Sequence, residues 1–518
     1  MYADKSKEKF AVIGGIIIFL IVGLFLTFSF KLVNSQSLNI NQNSITKDIV
    51  AYFDYIDYKS KLDKMGSIPV SEGSARSIPV LLYHGIIKED SKSTMDSPDG
   101  INIPLKEFED HMFALKKAGY QTISMEDFQA FMHDEKQLPE KSFLLTFDDG
   151  RKDSYYPVDP LLKALDYNAV IFIIAKYLSR ANGYYLDENE LKEMIKTGRW
   201  EIEAHAFDGH DLVKISPEEK EGHFYSNKLW LVDNSRYETD QEYTERVSND
   251  LEKVKRTLEN MTGKDIAAFA FPFGDYGQHS TNFDKAQKIF LEQVKNRYQF
   301  AFYQLWTGGG YSQNYPSKDN LIITRIDEQI GLTGKDLINI LLRGDVKNLP
   351  YEFNPQNKDS WIRGWGILNK TDESLGIGIH NSMTYFDGSY LWENYTFNLF
   401  LKEYDDSTTL SLLARMQDPS NELSCDFSDD LIKISVEKDK KWSTLAVLKN
   451  YVIPSKNAAL GIKVKGDKAY CLVNEQSVIS TSLPSNYPRN GGIGIKTWNP
   501  NTNSKQININ WINIAVLA

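Results

Sequence analysis

The sequence predicts a multidomain protein in three parts: an apolar N-terminal helix, an α/β region with a parallel sheet or barrel, and an all-β sandwich. Three observations predict it. Residues 10–30 run 21 positions without a charge. From Ile78 to about Asp345, short apolar runs alternate with helical patterns, as buried parallel strands and their crossover helices do. After about Leu349 the hydrophobic period drops to two. A chain of 518 residues is also too long for one typical domain.

The apolar run comes first. At 1.5 Å per residue it spans about 30 Å, the thickness of a bilayer core. It exceeds the roughly 7–15 apolar residues of a cleaved leader, and no small-x-small cleavage site follows, so a retained anchor is favoured over cleavage. Lys5, Lys7 and Lys9 precede it and only Lys31 follows closely. The positive-inside rule then places residues 1–9 in the cytoplasm and everything after the span outside. Residues 31–75 are polar and read as an extracellular stalk, with a short helix expected at Tyr52–Tyr58. The net charge of −11 argues against nucleic-acid binding and fits an exported region. The 25% of charged residues argues against global disorder. Cys425 and Cys471 are the only cysteines; outside the membrane they could form one disulfide or remain two buried thiols. Without a CxxC pair, a zinc finger or thioredoxin-like site is excluded.

In the α/β region, 76–345, strands are expected at Pro79–Tyr83, Ser142–Phe147, Ala169–Ile174, Glu201–His205, Ile266–Phe271, Phe300–Tyr303 and Leu321–Thr324. Phe108, Met112 and Leu115 mark a helix stopping at Gly119, and Leu161, Leu162 and Leu165 mark another. Tyr243, Val247, Leu251, Val254, Leu258 and Met261 recur every three to four residues, with Gly263 at the exit. The polar, aromatic-bearing stretch from His210 to Asp240 breaks this rhythm and reads either as an insertion bordering a cleft or as a surface loop. In the last part, 350–518, Ile432, Ile434 and Val436, then Ile462 and Val464, then Ile507, Ile509 and Trp511 alternate with polar residues.

The chemistry collects after the strands. Thr146-Phe147-Asp148-Asp149-Gly150 places two adjacent carboxylates directly behind an apolar run, where unpaired charge is costly to desolvate. His205 and His210 follow the fourth strand, and Phe271-Pro272-Phe273-Gly274 the fifth. Five residues apart, the histidines would stand about 140° apart on a helix, so they belong on a strand end and its loop. One carboxylate and two imidazoles suit a divalent metal with an open position, leaving the second carboxylate as a base. Chemistry in such folds sits at the C-terminal strand ends, where His84, Asp148, Asp149, His205 and Phe273 all fall.

The Thr-Phe-Asp-Asp-Gly stretch, with the opening Pro79-Val80-Leu81-Leu82-Tyr83-His84 and Lys116-Lys117-Ala118-Gly119-Tyr120, resembles the polysaccharide deacetylases, the NodB-homology domains of carbohydrate esterase family 4. The five-residue histidine spacing and Phe271-Pro272-Phe273-Gly274-Asp275 look more like exported poly-β-1,6-N-acetylglucosamine deacetylases than other branches. The resemblance implies a distorted (β/α) barrel over about 76–345 that removes acetate from an N-acetylglucosamine polymer. An exopolysaccharide is favoured over peptidoglycan or a chitin-type glycan, and a degenerate glycan-binding protein is the rival class. It implies Asp149, His205 and His210 as ligands of one divalent metal, with Zn²⁺ the first choice and Co²⁺, Ni²⁺ or Mn²⁺ alternatives. It implies Asp148 as the base and the Phe273 backbone N–H as oxyanion donor. Trp306, Pro272, Asp275 and Arg325 are candidate substrate contacts; Arg325 reads equally as the partner of a site carboxylate or of a surface charge, and Asp275 as a turn cap or as orienting a neighbour.

Three departures stand out. The arginine that pairs with the base in that family is missing from its usual place, near Ala270. The usual acid histidine has no counterpart around Ile322–Ile326, so His84, and more weakly His279, are the candidates. Trp306 stands for the usual aromatic. His111, His133, His223 and His380 read as surface or packing residues. The last part resembles concanavalin- or laminin-G-like jelly rolls through Leu412–Asp418, Asn421 and Gly492–Ile495. It is a candidate carbohydrate-binding domain, with Trp361, Trp365, Tyr385, Trp392 or Trp498 as contacts. The expected partners are the polysaccharide, the membrane through the first helix, and envelope or exopolysaccharide machinery.

Overall fold

The computed structural model describes residues 42–517 apart from 89–100, 180–182, 279–280, 306–309, 318–319, 328–330, 354–357, 404–406, 439 and 501–505. The anchor at 10–30, Trp306 and His279 lie outside the described residues. Among the described residues no helix is long and apolar enough to cross a membrane. By contacts the chain divides into residues 1–56 and 57–518, and the second unit holds both folded parts.

The short helix expected at Tyr52–Tyr58 is part of a longer one, helix α1, Gln42–Asp63, of 22 residues. Aspartate, lysine and aromatic residues there tolerate a helix as well as a coil, and no glycine or proline interrupts the run.

Seven strands close into a barrel. They are β1 Val80–Tyr83, β2 Ser142–Phe147, β3 Ala169–Ile174, β4 Trp200–Ala206, β5 Ala268–Ala270, β6 Phe300–Leu305 and β7 Ile322–Asp327. All pairings are parallel, in the order β1-β7-β6-β5-β4-β3-β2, and β1 pairs β2 to close the ring. Each strand lies within or slightly beyond its expected run. Strands buried on both faces read as continuous apolar segments, which is what makes them visible in the sequence. Val80, Leu144, Val170, Phe172, Ala268, Ala270, Phe302 and Ile323 fill the interior. Outside lie helices α2 Leu105–Lys117, α3 Asp159–Leu165, α4 Glu188–Lys196, α5 Asp240–Thr262, α6 Ala286–Lys295 and α7 Gly334–Gly344. Helix α5 opens on a capping box from Thr239 and Glu242 and stops at Gly263, whose φ of +68° a side chain would resist.

The stretch after His210 forms two small hairpins, Leu212–Lys214 with Glu221–His223 and Trp230–Leu231 with Arg236–Tyr237. It is fastened to the barrel. Arg246 of α5 donates to Glu238 at 2.7 Å and to the Phe224 carbonyl at 2.7 Å.

The last part is two antiparallel sheets around a shared apolar core. Cys425 on Asn421–Ser428 of one sheet is joined to Cys471 on Lys468–Val473 of the other by a disulfide. The alternation holds for Ile432, Ile434, Ile462, Val464, Ile507 and Ile509, all buried. It fails at Trp511, which is exposed. A bulge in Gln506–Val516, where Phe400 pairs with Trp511 and Leu401 with Ile509, shifts the phase so that Ile512 and Ile514 face inward instead. Trp361, Tyr385 and Trp392 are buried and so are corrected to packing residues. Trp365 and Trp498 remain at the surface, the latter 51% exposed.

Candidate active site

The barrel gathers its charged residues at one mouth. Asp148 follows β2 directly, and its N–H donates to the Tyr83 carbonyl at 3.1 Å, binding the end of β2 to the end of β1. Asp149 and Gly150 then both take φ of +74°, which turns the chain sharply out of the strand. Aspartate tolerates that region better than most side chains. At Gly150 a Cβ would stand 2.9 Å from the end of the Ile173 side chain, so the positive φ more than the space favours glycine.

Asp148 is buried and gripped by a buried arginine. Arg325 Nη1 donates to Oδ1 at 2.6 Å and Nη2 to Oδ2 at 2.7 Å, the two-pronged geometry that arginine makes with a carboxylate. Arg325 lies on β7, two residues after the interior Ile323, so its side chain points into the barrel as Ile323 does. It is 1% exposed, so of the two pairings open to it in the sequence it makes the one with a site carboxylate. The arginine missing near Ala270 is supplied from a different strand. Burial alone pushes the Asp148 carboxyl up, but Arg325, with His205 and His84, holds it below its ordinary value. His84, at the end of β1, has Nε2 4.0 Å from Asp148 Oδ2.

The second carboxylate faces two imidazoles. Asp149 Oδ1 lies 3.5 Å from His205 Nε2 and 3.4 Å from His210 Nε2. It is buried and makes no hydrogen bond. His205 Nδ1 meets the Ala270 carbonyl at 2.9 Å, and a carbonyl can only accept. Nδ1 therefore carries a proton, and Nε2 is the ring nitrogen turned toward Asp149. Burial pushes the His210 imidazole down to about 4, so it is neutral near pH 7. For His205, burial acts downward, and the carboxylates of Asp148 and Asp149 more than reverse it.

These three residues form a candidate metal centre, with ligand atoms within 4.8 Å of one another. Donors about 2.0–2.1 Å from a tetrahedral ion stand about 3.3–3.4 Å apart, which matches the two measured separations. An orphaned buried carboxylate oxygen facing two imidazole nitrogens fits a divalent cation.

The loop carrying His210 is held by a residue that sequence reasoning missed. Asp250 of α5 accepts from the N–H groups of Phe207 at 3.0 Å and Asp208 at 2.6 Å, and from the Tyr225 hydroxyl at 2.5 Å. Gly209 lets that tyrosine approach, since a Cβ there would sit 2.2 Å from its ring. A buried aspartate among the charges of an amphipathic helix leaves no signal in the sequence.

Phe273 follows β5 with φ of +59°, a strained conformation for an aromatic residue. Its ring lies 4.5 Å from that of His210 and stacks at 4.3 Å on His223. His223, expected as a packing or surface residue, is thus part of the mouth, and its Nδ1 pairs with Asp275 Oδ2 at 2.6 Å. Asp275 Oδ1 also accepts from the Gly277 N–H at 2.9 Å, so this residue both caps its turn and orients His223. Pro272 is buried in the 272–274 turn, which corrects it from a contact to a support.

Residues 135–289 match the polysaccharide deacetylase family model. A Bacillus subtilis protein named as a polysaccharide deacetylase, YxkH, is 34% identical over 157 residues, 30% of this chain and 52% of that protein. The Escherichia coli K12 poly-beta-1,6-N-acetyl-D-glucosamine N-deacetylase is 25% identical over 207 residues, 38% of this chain and 29% of that protein. This chain spans about half or less of the length of these relatives. Among solved structures, a de-N-acetylase from Aggregatibacter actinomycetemcomitans matches with a TM-score of 0.42 at 21% identity, covering 51% of this chain and 99% of that one.

Proposed function

We propose that this chain, which carries a polysaccharide deacetylase domain matched over residues 135–289, hydrolyses the acetamide of N-acetylglucosamine units in an extracellular polysaccharide. The observation that carries the reading is the division of labour between adjacent carboxylates. Asp148 is neutralised by Arg325, while Asp149 is left with an orphaned oxygen facing two imidazoles.

Asp149, His205 and His210 would hold a divalent ion, which when bound supplies a Lewis acid and makes water a nucleophile near neutral pH. Asp148 accepts the proton of the attacking water, and Arg325 keeps its carboxylate ionised and aimed. The water oxygen bonds to the acetamide carbon. The backbone N–H of Phe273 donates to the oxygen that gains charge. His84, beside Asp148, gives a proton to the nitrogen as the C–N bond breaks. Acetate and a glucosamine unit leave.

The five-residue histidine spacing favours an exopolysaccharide with β-1,6 linkages. An anchor at 10–30 would keep the barrel outside the cell, where such polymers emerge. Acetate release from β-1,6- and β-1,4-linked N-acetylglucosamine oligomers, assayed with Zn²⁺, Co²⁺, Ni²⁺ or Mn²⁺ and after chelation, tests the reading. Release that chelation stops and metal restores is expected, faster on the β-1,6 oligomers. No acetate with any ion on either linkage rejects it.

A further inference from the structure

One face of β4 carries three polar side chains in a row, Glu201, Glu203 and His205. The neighbouring strand β3 offers the interior residues Val170 and Phe172 in register with the first two, so all three side chains start from the inward face. Each reaches the backbone of a neighbouring segment. Glu201 Oε1 accepts from the Met125 N–H at 3.0 Å, and Glu203 Oε2 accepts from the Ala268 N–H at 2.8 Å. His205 Nδ1 donates to the Ala270 carbonyl at 2.9 Å. Glu203 has no part in the reaction as derived above, yet it is buried two residues from a candidate metal ligand.

The seam between β4 and β5 explains its place. Among the described residues these strands are in register only at Ala204 and Phe269, whereas β3 and β4 stay in register from Ala169–Trp200 to Ile173–Ala204. In a regular parallel pair an N–H such as that of Ala268 meets a carbonyl of the next strand. Here the Glu203 carboxyl supplies the acceptor, and His205 supplies the donor for Ala270. Two side chains therefore stitch the seam in place of backbone rungs. A buried carboxyl is costly unless it is bonded, and the Ala268 N–H offsets that cost.

β5 leads straight into Phe271-Pro272-Phe273. On its far side the Phe271 N–H donates to the Phe302 carbonyl of β6 at 3.0 Å. On its near side it rests on Glu203 and His205. Releasing Ala268 frees β5 to shift against β4, and two groups of the site ride on β5 and the turn after it. One is the Ala270 carbonyl, which orients His205. The other is the Phe273 N–H.

We propose that Glu203 is a positioning residue of the reaction: by holding Ala268 it sets β5 against β4, and so fixes both the carbonyl that orients His205 and the N–H offered to the reacting oxygen. This rests on the deacetylase reading and adds a residue that never touches substrate. The bond depends on reach. Glutamine has the same reach and an oxygen that accepts, whereas aspartate keeps the carboxyl and is a methylene too short. The test uses the full chain, with Zn²⁺ affinity read by competition with a chelator and acetate release read on N-acetylglucosamine oligomers. Glu203→Asp is expected to bind Zn²⁺ about tenfold more weakly and, at saturating Zn²⁺, to lose about tenfold in kcat with KM unchanged. Glu203→Met, which offers no oxygen acceptor, is expected to match it and carries the test should the aspartate variant not fold. Glu203→Gln is expected to stay within about threefold of the wild type in both readings. Glu201→Asp breaks the corresponding bond at the end of β4 away from the mouth, and is expected to lower stability in urea alone. Wild-type Zn²⁺ affinity and kcat in Glu203→Asp or Glu203→Met overturn the positioning role, as does a Glu203→Gln variant that falls as far as they do. So does an equal loss of Zn²⁺ affinity in Glu201→Asp, because general loosening of the barrel would then account for the effect. A wild-type protein that neither binds Zn²⁺ nor releases acetate overturns the deacetylase reading itself.

Discussion

Removing the guanidinium of Arg325 tests the centre of the site most directly. In Arg325→Met the side chain keeps its approximate volume, so the loss is one of charge and hydrogen bonding. Two charge-assisted bonds, at 2.6 and 2.7 Å, disappear from a carboxylate that is 3% exposed. Truncating one partner of a buried ion pair costs about 3–5 kcal/mol, because the remaining charge stays desolvated. Asp148 can lessen that cost only by taking up a proton, which ends its use as a base. The variant is therefore expected to lose about 3 kcal/mol or more of barrel stability in urea unfolding and at least 10²-fold in acetate release. The double variant Arg325→Met/Asp148→Asn removes both charges. It should regain about 2 kcal/mol of the loss while staying inactive, a coupling typical of residues in one network. Arg325→Lys should recover part of the stability, since a point charge replaces the fork without its geometry. If Arg325→Met unfolds within about 0.5 kcal/mol of the wild type, or the two substitutions are additive, Arg325 does not hold Asp148.

Three further outcomes follow from the geometry. Asp148→Asn should cut acetate release by about 10²–10⁴ while metal content, read by elemental analysis, stays near one per chain; Asp149→Asn should lose the metal. If instead Asp148→Asn empties the centre, the two carboxylate roles are exchanged. Replacing both Cys425 and Cys471 by serine opens a crosslink spanning 46 residues and should destabilise the sandwich by about 4 kcal/mol without changing acetate release; no shift in unfolding would refute a stabilising role. Glu422, buried beside Lys496, is pushed up to about 8 by burial. Such a carboxyl stays protonated when folded but ionises when unfolded. Sandwich stability should therefore fall as pH rises from about 4.5 toward 8, by at most ~1.4 kcal/mol per pH unit. Glu422→Gln should flatten that slope in unfolding measured across pH, and an unchanged slope would discount Glu422.

The fold was largely legible because both parts bury their strands in patterns that composition exposes. The barrel strands are apolar on both faces, and the sandwich strands alternate. Legibility ended where a single residue changed the phase. Nothing around Asn510 and Trp511 announces a bulge, so the alternation through Ile509 carries Trp511 inward on paper and leaves it outward in the protein. Helix α1 was legible only at Tyr52–Tyr58, for a different reason. Its sequence is polar with scattered aromatics, and no clean apolar stripe distinguishes it from a solvated coil.

The site divides along the same line between local and long-range information. Asp148, Asp149, His205, His210 and Phe273 each end or follow a strand, and local pattern places such residues at one mouth. Arg325 was legible as the partner of either a site carboxylate or a surface charge, and its neighbours in sequence could not choose, because its partner is 177 residues away. Its signal was physical: a guanidinium two residues after Ile323, on the same face of a buried strand, requires a carboxylate within reach. The closed barrel supplies one. β7 pairs β1 and β1 pairs β2, so the inward face of β7 looks across one strand at the end of β2. Ala270 lies on β5, two strands from β7 around the ring, so searching near it looked for the right charge on the wrong strand. Any inward strand end adjacent to β1 or β2 could carry that arginine, and the position it takes here is fixed by barrel closure rather than by a motif.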